Sequence, residues 1–360
     1  MSSTMRVGIV GADAKGQGWA PLAHFPALRS LPEFSIAALC TTREDTARAA
    51  SVRYGVPSAF HDYREMVASP DIDLVSVVVR APNHYAVVMA ALEAGKPVYC
   101  EWPLGASTAQ AEAMAALAKR RGIATVVGLQ ARCDPTLRYV RDLVAQGHIG
   151  EVLAVNMAMI SSTPPERAKS KLWEAKRSGG VSALTIRGMH SLDALCMCVG
   201  EFVELSSRAS TRIKQWKDVE TGESVDVEVP DQVMVHGVVE SGAVVSAHIG
   251  TVATAAPGFR MELFGRDGTL HVATRGAPQR DANVLTGSTG RAALQPMEVP
   301  AVYAEVPAQT PPGPPRNVAA LYRRLKTAIA NGSRAEPDFE LALTRHRMID
   351  AIGGTAPSIA

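Results

Sequence analysis

The first residues in the chain with a chemical use are glycines clustered behind a short apolar run. Gly8-Ile9-Val10-Gly11-Ala12-Asp13-Ala14-Lys15-Gly16-Gln17-Gly18 closes the run Arg6 to Val10 and leads into a helical stretch. Glycine lets a backbone turn tightly and come close to a ligand. A helix that starts just beyond offers free N–H groups and its positive dipole end to a pyrophosphate. Gly8, Gly11, Ala12, Asp13, Lys15 and Gly16 are therefore expected to cradle a dinucleotide. The spacing is not a strict G-x-G-x-x-G, because Asp13 stands where the second glycine belongs and the loop is lengthened. Alone, such a turn also reads as a plain strand–helix connection.

The second chemical group lies some thirty residues on. In a dinucleotide fold the tip of the second strand meets the adenosine ribose. An acid there accepts from the 2′-hydroxyl and repels a 2′-phosphate, whereas an arginine accommodates the phosphate. Leu39-Cys40-Thr41-Thr42-Arg43 has no acid at the tip. Thr41, Thr42 and Arg43 are expected to hold a 2′-phosphate, Arg43 in a bidentate, charge-assisted contact, so the cofactor expected is NADP rather than NAD. A solvated loop arginine is the plainer alternative.

The elements needed to position these groups follow from hydrophobic pattern. Strands are expected at Arg6–Val10, Ser35–Cys40, Leu74–Val79, Pro97–Cys100 and Ala124–Val127, with helices near 24–30, 46–54, 62–68, 85–94 and 108–121 between them. The unbroken β-branched run Leu74–Val79 suits a strand buried on both faces. Alternation of this kind implies a parallel doubly wound sheet. Beyond Gly128 the pattern changes to helices near 136–146 and 182–199 and a series of strands from 152 to 273. Glu240-Ser241-Gly242 and Arg266-Asp267-Gly268 read as hairpin turns. The expected fold class is α/β: a Rossmann domain over 1–127, then a C-terminal α+β domain over 128–360 with a large open, mostly antiparallel sheet. Pro307–Pro315 reads as a surface loop, and helices at 318–330 and 340–352 close the chain.

Composition narrows the partners. With 360 residues, 47% hydrophobic and 20% charged, and a net charge of +2, the chain is an ordinary globular one. Neither a nucleic-acid partner nor a membrane is expected. The five cysteines include no Cys-x-x-Cys pair, which fits reduced thiols in a cytoplasmic protein and no metal site.

Two further segments carry a family resemblance. One runs Ala81-Pro82-Asn83-His84-Tyr85, then Gly95-Lys96-Pro97-Val98-Tyr99-Cys100-Glu101-Trp102-Pro103-Leu104. The other runs Ser178-Gly179-Gly180, then Gly188-Met189-His190 and Asp193. With the glycine loop they resemble the glucose–fructose oxidoreductase, inositol dehydrogenase and MocA-type family, over nearly the whole chain. The Glu-Trp pair, the lengthened loop and the Thr/Arg tip are similar to its branch around the yeast galactose-pathway co-repressor.

The resemblance implies hydride transfer at a sugar-like or polyol carbinol, and a homo-dimer or tetramer. It places Pro82, Asn83, His84, Glu101 and Trp102 at the cofactor, and Trp102, Trp173, Lys176, Arg187 and Asp193 around a small-molecule substrate. Where the family has Glu-Lys-Pro, this chain has Glu101-Trp102-Pro103. Where it has an aspartate two residues before a glycine and four before a histidine, this chain has Ile186. Indole offers neither the charge nor the labile proton of lysine. His190 is the family acid/base position still filled, with an imidazole suited to moving an alcohol proton. A core histidine is the plainer alternative. Two functions remain open: an NADP-dependent oxidoreductase, and a non-catalytic NADP-binding regulator that acts through a protein partner.

Overall fold

The computed structural model describes residues 4–12 and 14–353. It separates into two compact units, one of residues up to 130 with 305–346, the other of 131–304 with the residues from 347 on. The sequence division at 127 assigned everything later to the second domain. The structure instead returns residues 305–346 to the first unit, where the long helix before the last one packs, and the chain from 347 on falls in the second unit.

The first unit is a six-stranded parallel sheet ordered β3-β2-β1-β4-β5-β6. Its strands are β1 (Met5–Val10), β2 (Phe34–Cys40), β3 (Ser58–Phe60), β4 (Leu74–Val77), β5 (Val98–Cys100) and β6 (Thr125–Val127). All four residues of β4 are buried, as the β-branched run requires. The helices are α1 (Phe25–Arg29), α2 (Glu44–Tyr54), α3 (Tyr63–Ala68), α4 (His84–Glu93) and α5 (Thr108–Arg121). Asp62 and Ser107 cap α3 and α5 by accepting from the Arg64 and Gln110 amides. Gly55 and Gly122 close α2 and α5 in left-handed conformations.

The second unit opens with α6 (Pro135–Ala145) and includes α7 (Met189–Val199). Its eight-stranded sheet contains β7 (Val152–Ser162), β9 (Phe202–Ser210), β12 (Gln232–Val239), β13 (Val244–Val252), β14 (Gly258–Gly265), β15 (Gly268–Thr274), β16 (Val284–Thr289) and β17 (Gln295–Pro296). β13 pairs with β7 in parallel and the other neighbours are antiparallel. A small sheet of β8 (Glu166–Arg167), β10 (Gln215–Asp218) and β11 (Ser224–Asp226) stands apart. The closing helices are α8 (Pro314–Asn331) and α9 (Phe339–Gly353). Pro314 and Pro315, expected in a loop, form the first turn of α8, where a missing N–H costs nothing.

All five cysteines are buried and unbridged. No helix of the described residues is long and apolar enough to cross a membrane.

Asp134 caps α6 by accepting from the Leu137 amide at 3.1 Å. Burial pushes its carboxyl up to about 6, so between roughly pH 4 and 6 the folded chain holds this proton more tightly than the unfolded chain. Its contribution to stability is therefore greatest at low pH and declines as pH rises through that window. Asp134→Asn keeps a capping acceptor and removes the titration. Equilibrium unfolding should show the variant gaining on wild type by about 2 kcal/mol between pH 4 and 7, with a constant difference above.

Candidate functional site

At the end of β1 the backbone of Gly11 adopts φ +108°, and a Cβ there would stand 2.3 Å from the Val78 carbonyl oxygen. Only glycine permits this crossing between the first strand and the segment after β4. Gly16 and Gly18 continue the turn with φ +80° and +92°. The loop then enters a wide helical turn, Ala20–His24, that continues into α1. Ala12 is buried and Lys15 exposed. Asp13 lies outside the described residues. Gly8 plays a different part. It sits within β1, where a Cβ would meet Met66 of α3 at 3.0 Å, so it serves sheet–helix packing.

At the β2 tip, Thr41 Oγ1 donates to the Arg43 carbonyl and bonds Thr46 Oγ1 at 2.6 Å. Thr42 is exposed. Arg43 grips Asp45 through two contacts of 3.0 and 3.2 Å, both side chains largely in solvent. That pair is weakly held. Arg53, which no sequence motif singles out, brings its guanidinium to Gly16, 2.6 Å from where a Cβ would stand.

The carboxyl ends of β4 and β5 hold the best-defined group. Glu101 follows β5, with Oε1 accepting from His24 Nε2 at 3.0 Å and Oε2 from Gln130 Nε2 at 2.7 Å. With its Nε2 proton on the carboxylate, His24 takes the Tyr322 hydroxyl on Nδ1 at 2.8 Å, and Ser76 Oγ donates to the Tyr322 oxygen at 2.8 Å. This tautomer matches donor to acceptor among Glu101, His24, Tyr322 and Ser76. Burial pushes the Tyr322 hydroxyl well above its ordinary value, so it stays a neutral donor. Tyr322 stacks on Tyr99 and meets His24 edge-on. His24, Ser76 and Gln130 are buried. None of the three carried a sequence signal, although Gln130 follows the end of β6, an edge at which ligands collect.

Two expected cofactor residues are placed differently. His84 is buried, with Nδ1 2.8 Å from the Pro103 carbonyl and Nε2 3.0 Å from that of Val79. Both ring nitrogens thus face backbone carbonyls, to one of which a neutral imidazole donates, and burial pulls its pKa down. Trp102 is only 6% exposed and packs on the His346 ring of α9 at 5.0 Å. It is a packing residue, with little surface left to line a pocket. Pro82 and Asn83 remain exposed beyond β4.

In the second unit a wide turn, Leu184–Gly188, runs into α7 and carries Arg187 three residues before His190. Arg187 is partly buried and His190 is 5% exposed. Trp173 lies over Gly179, where a Cβ would be 3.1 Å from its ring. Lys176, expected at substrate, is taken up by Glu228 at 2.8 Å on the surface. Asp193 is fully buried, and both its oxygens accept from Arg132 Nε, at 3.0 and 2.9 Å. Asp193, which the resemblance sets at substrate, is therefore half of a buried ion pair. Among the described residues no cluster of three or more metal-ligating side chains occurs.

A parallel sheet of order 3-2-1-4-5-6 with a glycine crossing after its first strand defines a dinucleotide-binding Rossmann unit. Residues 5–129 match the family described as oxidoreductase family, NAD-binding Rossmann fold, and residues 135–274 match the Gal80p C-terminal domain. The chain is thus a Gfo/Idh/MocA-family Rossmann domain joined to a Gal80-like C-terminal domain. It is 33% identical over 215 residues to dehydrogenase aclE of Aspergillus oryzae, covering 58% of this chain and 59% of that protein. It is 28% identical over 262 residues to the galactose/lactose metabolism regulatory protein GAL80 of Saccharomyces cerevisiae, covering 68% and 60%. The matches thus span about three-fifths of the length of these relatives. An NAD-binding oxidoreductase from Klebsiella pneumoniae superposes with TM-score 0.85 at 26% identity, over 98% of this chain and 96% of that one.

Removing one partner of a buried ion pair leaves an uncompensated charge. Asp193→Ala should therefore cost about 3–5 kcal/mol, read as a large drop in Tm. Asp193→Asn, which still offers one acceptor, should lose less.

Proposed function

We propose that this protein is an NADP-dependent oxidoreductase acting on a small sugar, polyol or related carbonyl/carbinol substrate. The observation that carries the reading is the Glu101 carboxylate, fixed from both sides at the carboxyl end of β5. A sheet end with no ligand to meet has no use for an anchored anion backed by a buried histidine, tyrosine and serine. The glycine crossing fits the dinucleotide, because a side chain at Gly11 would fill the approach. When bound, the cofactor supplies the ring that accepts or gives hydride.

The chain's own residues do the rest. Gly11, Gly16 and Gly18 leave the phosphates access to backbone N–H groups. Thr41, Thr42 and Arg43 meet the adenosine end, and Glu101, held still, orients the reacting end. His190 takes or returns the proton of the substrate hydroxyl. The dehydrogenase among the relatives supports this reading. A cytoplasmic homo-oligomer belongs to the same proposal. The buried, unbridged thiols support the compartment, and Met234, Val244 and Phe264, exposed on the large sheet, support self-association.

A second reading is favoured by Trp102 and Ile186, which stand where the family has lysine and aspartate, and by the Gal80-like domain. In it the chain binds NADP and signals through a protein partner.

Arg43 exchanges a weak surface pair for the 2′-phosphate, so NADPH should bind roughly tenfold to a hundredfold more tightly than NADH. Arg43→Ala should remove most of that difference in a fluorescence titration. Equal affinities in wild type would sink the cofactor assignment.

His190→Ala and His190→Gln should each slow single-turnover oxidation of NADPH by about 10²–10⁴ and leave NADPH affinity unchanged. Wild type that binds NADPH well, yet turns over no member of a broad carbonyl panel, would instead establish the regulator.

A further inference from the structure

Three arginines of the second unit bear on what the substrate must look like. Arg187 lies in the turn that enters α7, three residues before His190. Arg167 ends β8, its guanidinium 4.4 Å above the Trp216 ring, and its Nε is buried with no hydrogen-bond partner. Arg280 lies in the loop after β15. Among the described residues no carboxylate stands within ion-pair distance of Arg187 or Arg167. The acid that both feel, Glu174, is itself bonded to Lys171 at 2.8 Å. Burial and the like charge of Arg280 pull the Arg187 guanidinium below its ordinary value, and Arg187 in turn acts on Arg167.

A guanidinium has five donors in a rigid fork and stays charged. Arg187 and Arg167, partly out of water, acting on one another as like charges and lacking a carboxylate of their own, form an arrangement that the chain holds at a cost. A carboxylate or a phosphate ester relieves it by accepting the idle donors and screening the repulsion. Trp216 already fixes the face of Arg167, which orients its fork before any ligand arrives.

We propose that Arg187, reinforced by Arg167 and Arg280, seats an anionic group on the substrate, a carboxylate or a phosphate monoester, so that the protein acts on acidic or phosphorylated polyols in preference to neutral ones. The proposal rests on the oxidoreductase reading for what happens next, since Arg187 places the anion three residues from the proton-transferring His190. The binding itself does not require turnover.

Calorimetric titration at fixed ionic strength with D-glucitol, D-gluconate, D-glucitol 6-phosphate and inorganic phosphate tests it. Inorganic phosphate has no carbon skeleton to misfit. At least one anion should bind tenfold or more tightly than glucitol. A lead for the phosphate ester identifies the phosphate class, and a lead for gluconate the carboxylate class. Arg187→Gln should abolish the preference and Arg167→Gln should reduce it severalfold, with the Tm of each variant confirming a folded chain. His190→Gln should leave it intact. Anions that bind no better than glucitol, or a preference that survives Arg187→Gln, would overturn the proposal. Anion binding that depends on Arg187, with no hydride exchange under any condition, would uphold the anion site and remove the oxidoreductase reading.

Discussion

The close approach of Gly11 to the Val78 carbonyl is the constraint on which the first unit turns. It lies where the strand order reverses between β1 and β4, the place at which an open α/β sheet leaves a crevice beyond its carboxyl ends. Because the backbone crosses there without a side chain, the loop to Gly18 is free to open outward and the wide turn Ala20–His24 can begin where it does. That turn delivers His24 to Glu101. One missing Cβ and one anchored carboxylate are thus consequences of the same local geometry.

The parallel sheet was legible because its strands are short β-branched or apolar runs bounded by glycine and proline, and β4 is buried along its whole length. β3 and the small sheet of β8, β10 and β11 were not, since strands of two to four half-exposed residues show no period. Glu101 was readable from the family resemblance of the segment Glu101-Trp102-Pro103. Its supports were not: His24 sits 77 positions earlier, and Tyr322 lies 298 positions beyond His24. His84 and Asp193 show the opposite failure. Each had the right chemistry at the right spacing. Folding committed them elsewhere, His84 to the Val79 and Pro103 carbonyls and Asp193 to Arg132, 61 positions away.

The two units place their buried charge differently. In the first, the Glu101 carboxyl is held from both sides by His24 and Gln130, so its position is fixed. In the second, Arg132 is fully committed to Asp193, whereas Arg167 and Arg187 are not committed to any carboxylate. Paired and unpaired guanidinium groups thus occur in one unit, and only the paired one, Arg132, is tied into the fold by a buried carboxylate. Trp102 makes the same point for apolar groups, since the indole that replaces a family lysine has become part of the packing against α9.

The discontinuity of the first unit has a consequence for biosynthesis. Its sheet is complete by residue 130, but α8, which contributes Tyr322 to the network behind Glu101, lies beyond residues 131–304 of the second unit. A ribosome adding about 5–20 residues per second needs roughly ten to forty seconds to cover the intervening stretch. Throughout that interval the nascent sheet shows the apolar surface against which Tyr322 will later pack, and His24 Nδ1 lacks the Tyr322 hydroxyl. The fold therefore cannot mature in simple N-to-C order. The first unit is completed only when α8 arrives, after residues 131–304, and without α8 the His24 ring lacks the Tyr322 hydroxyl on Nδ1.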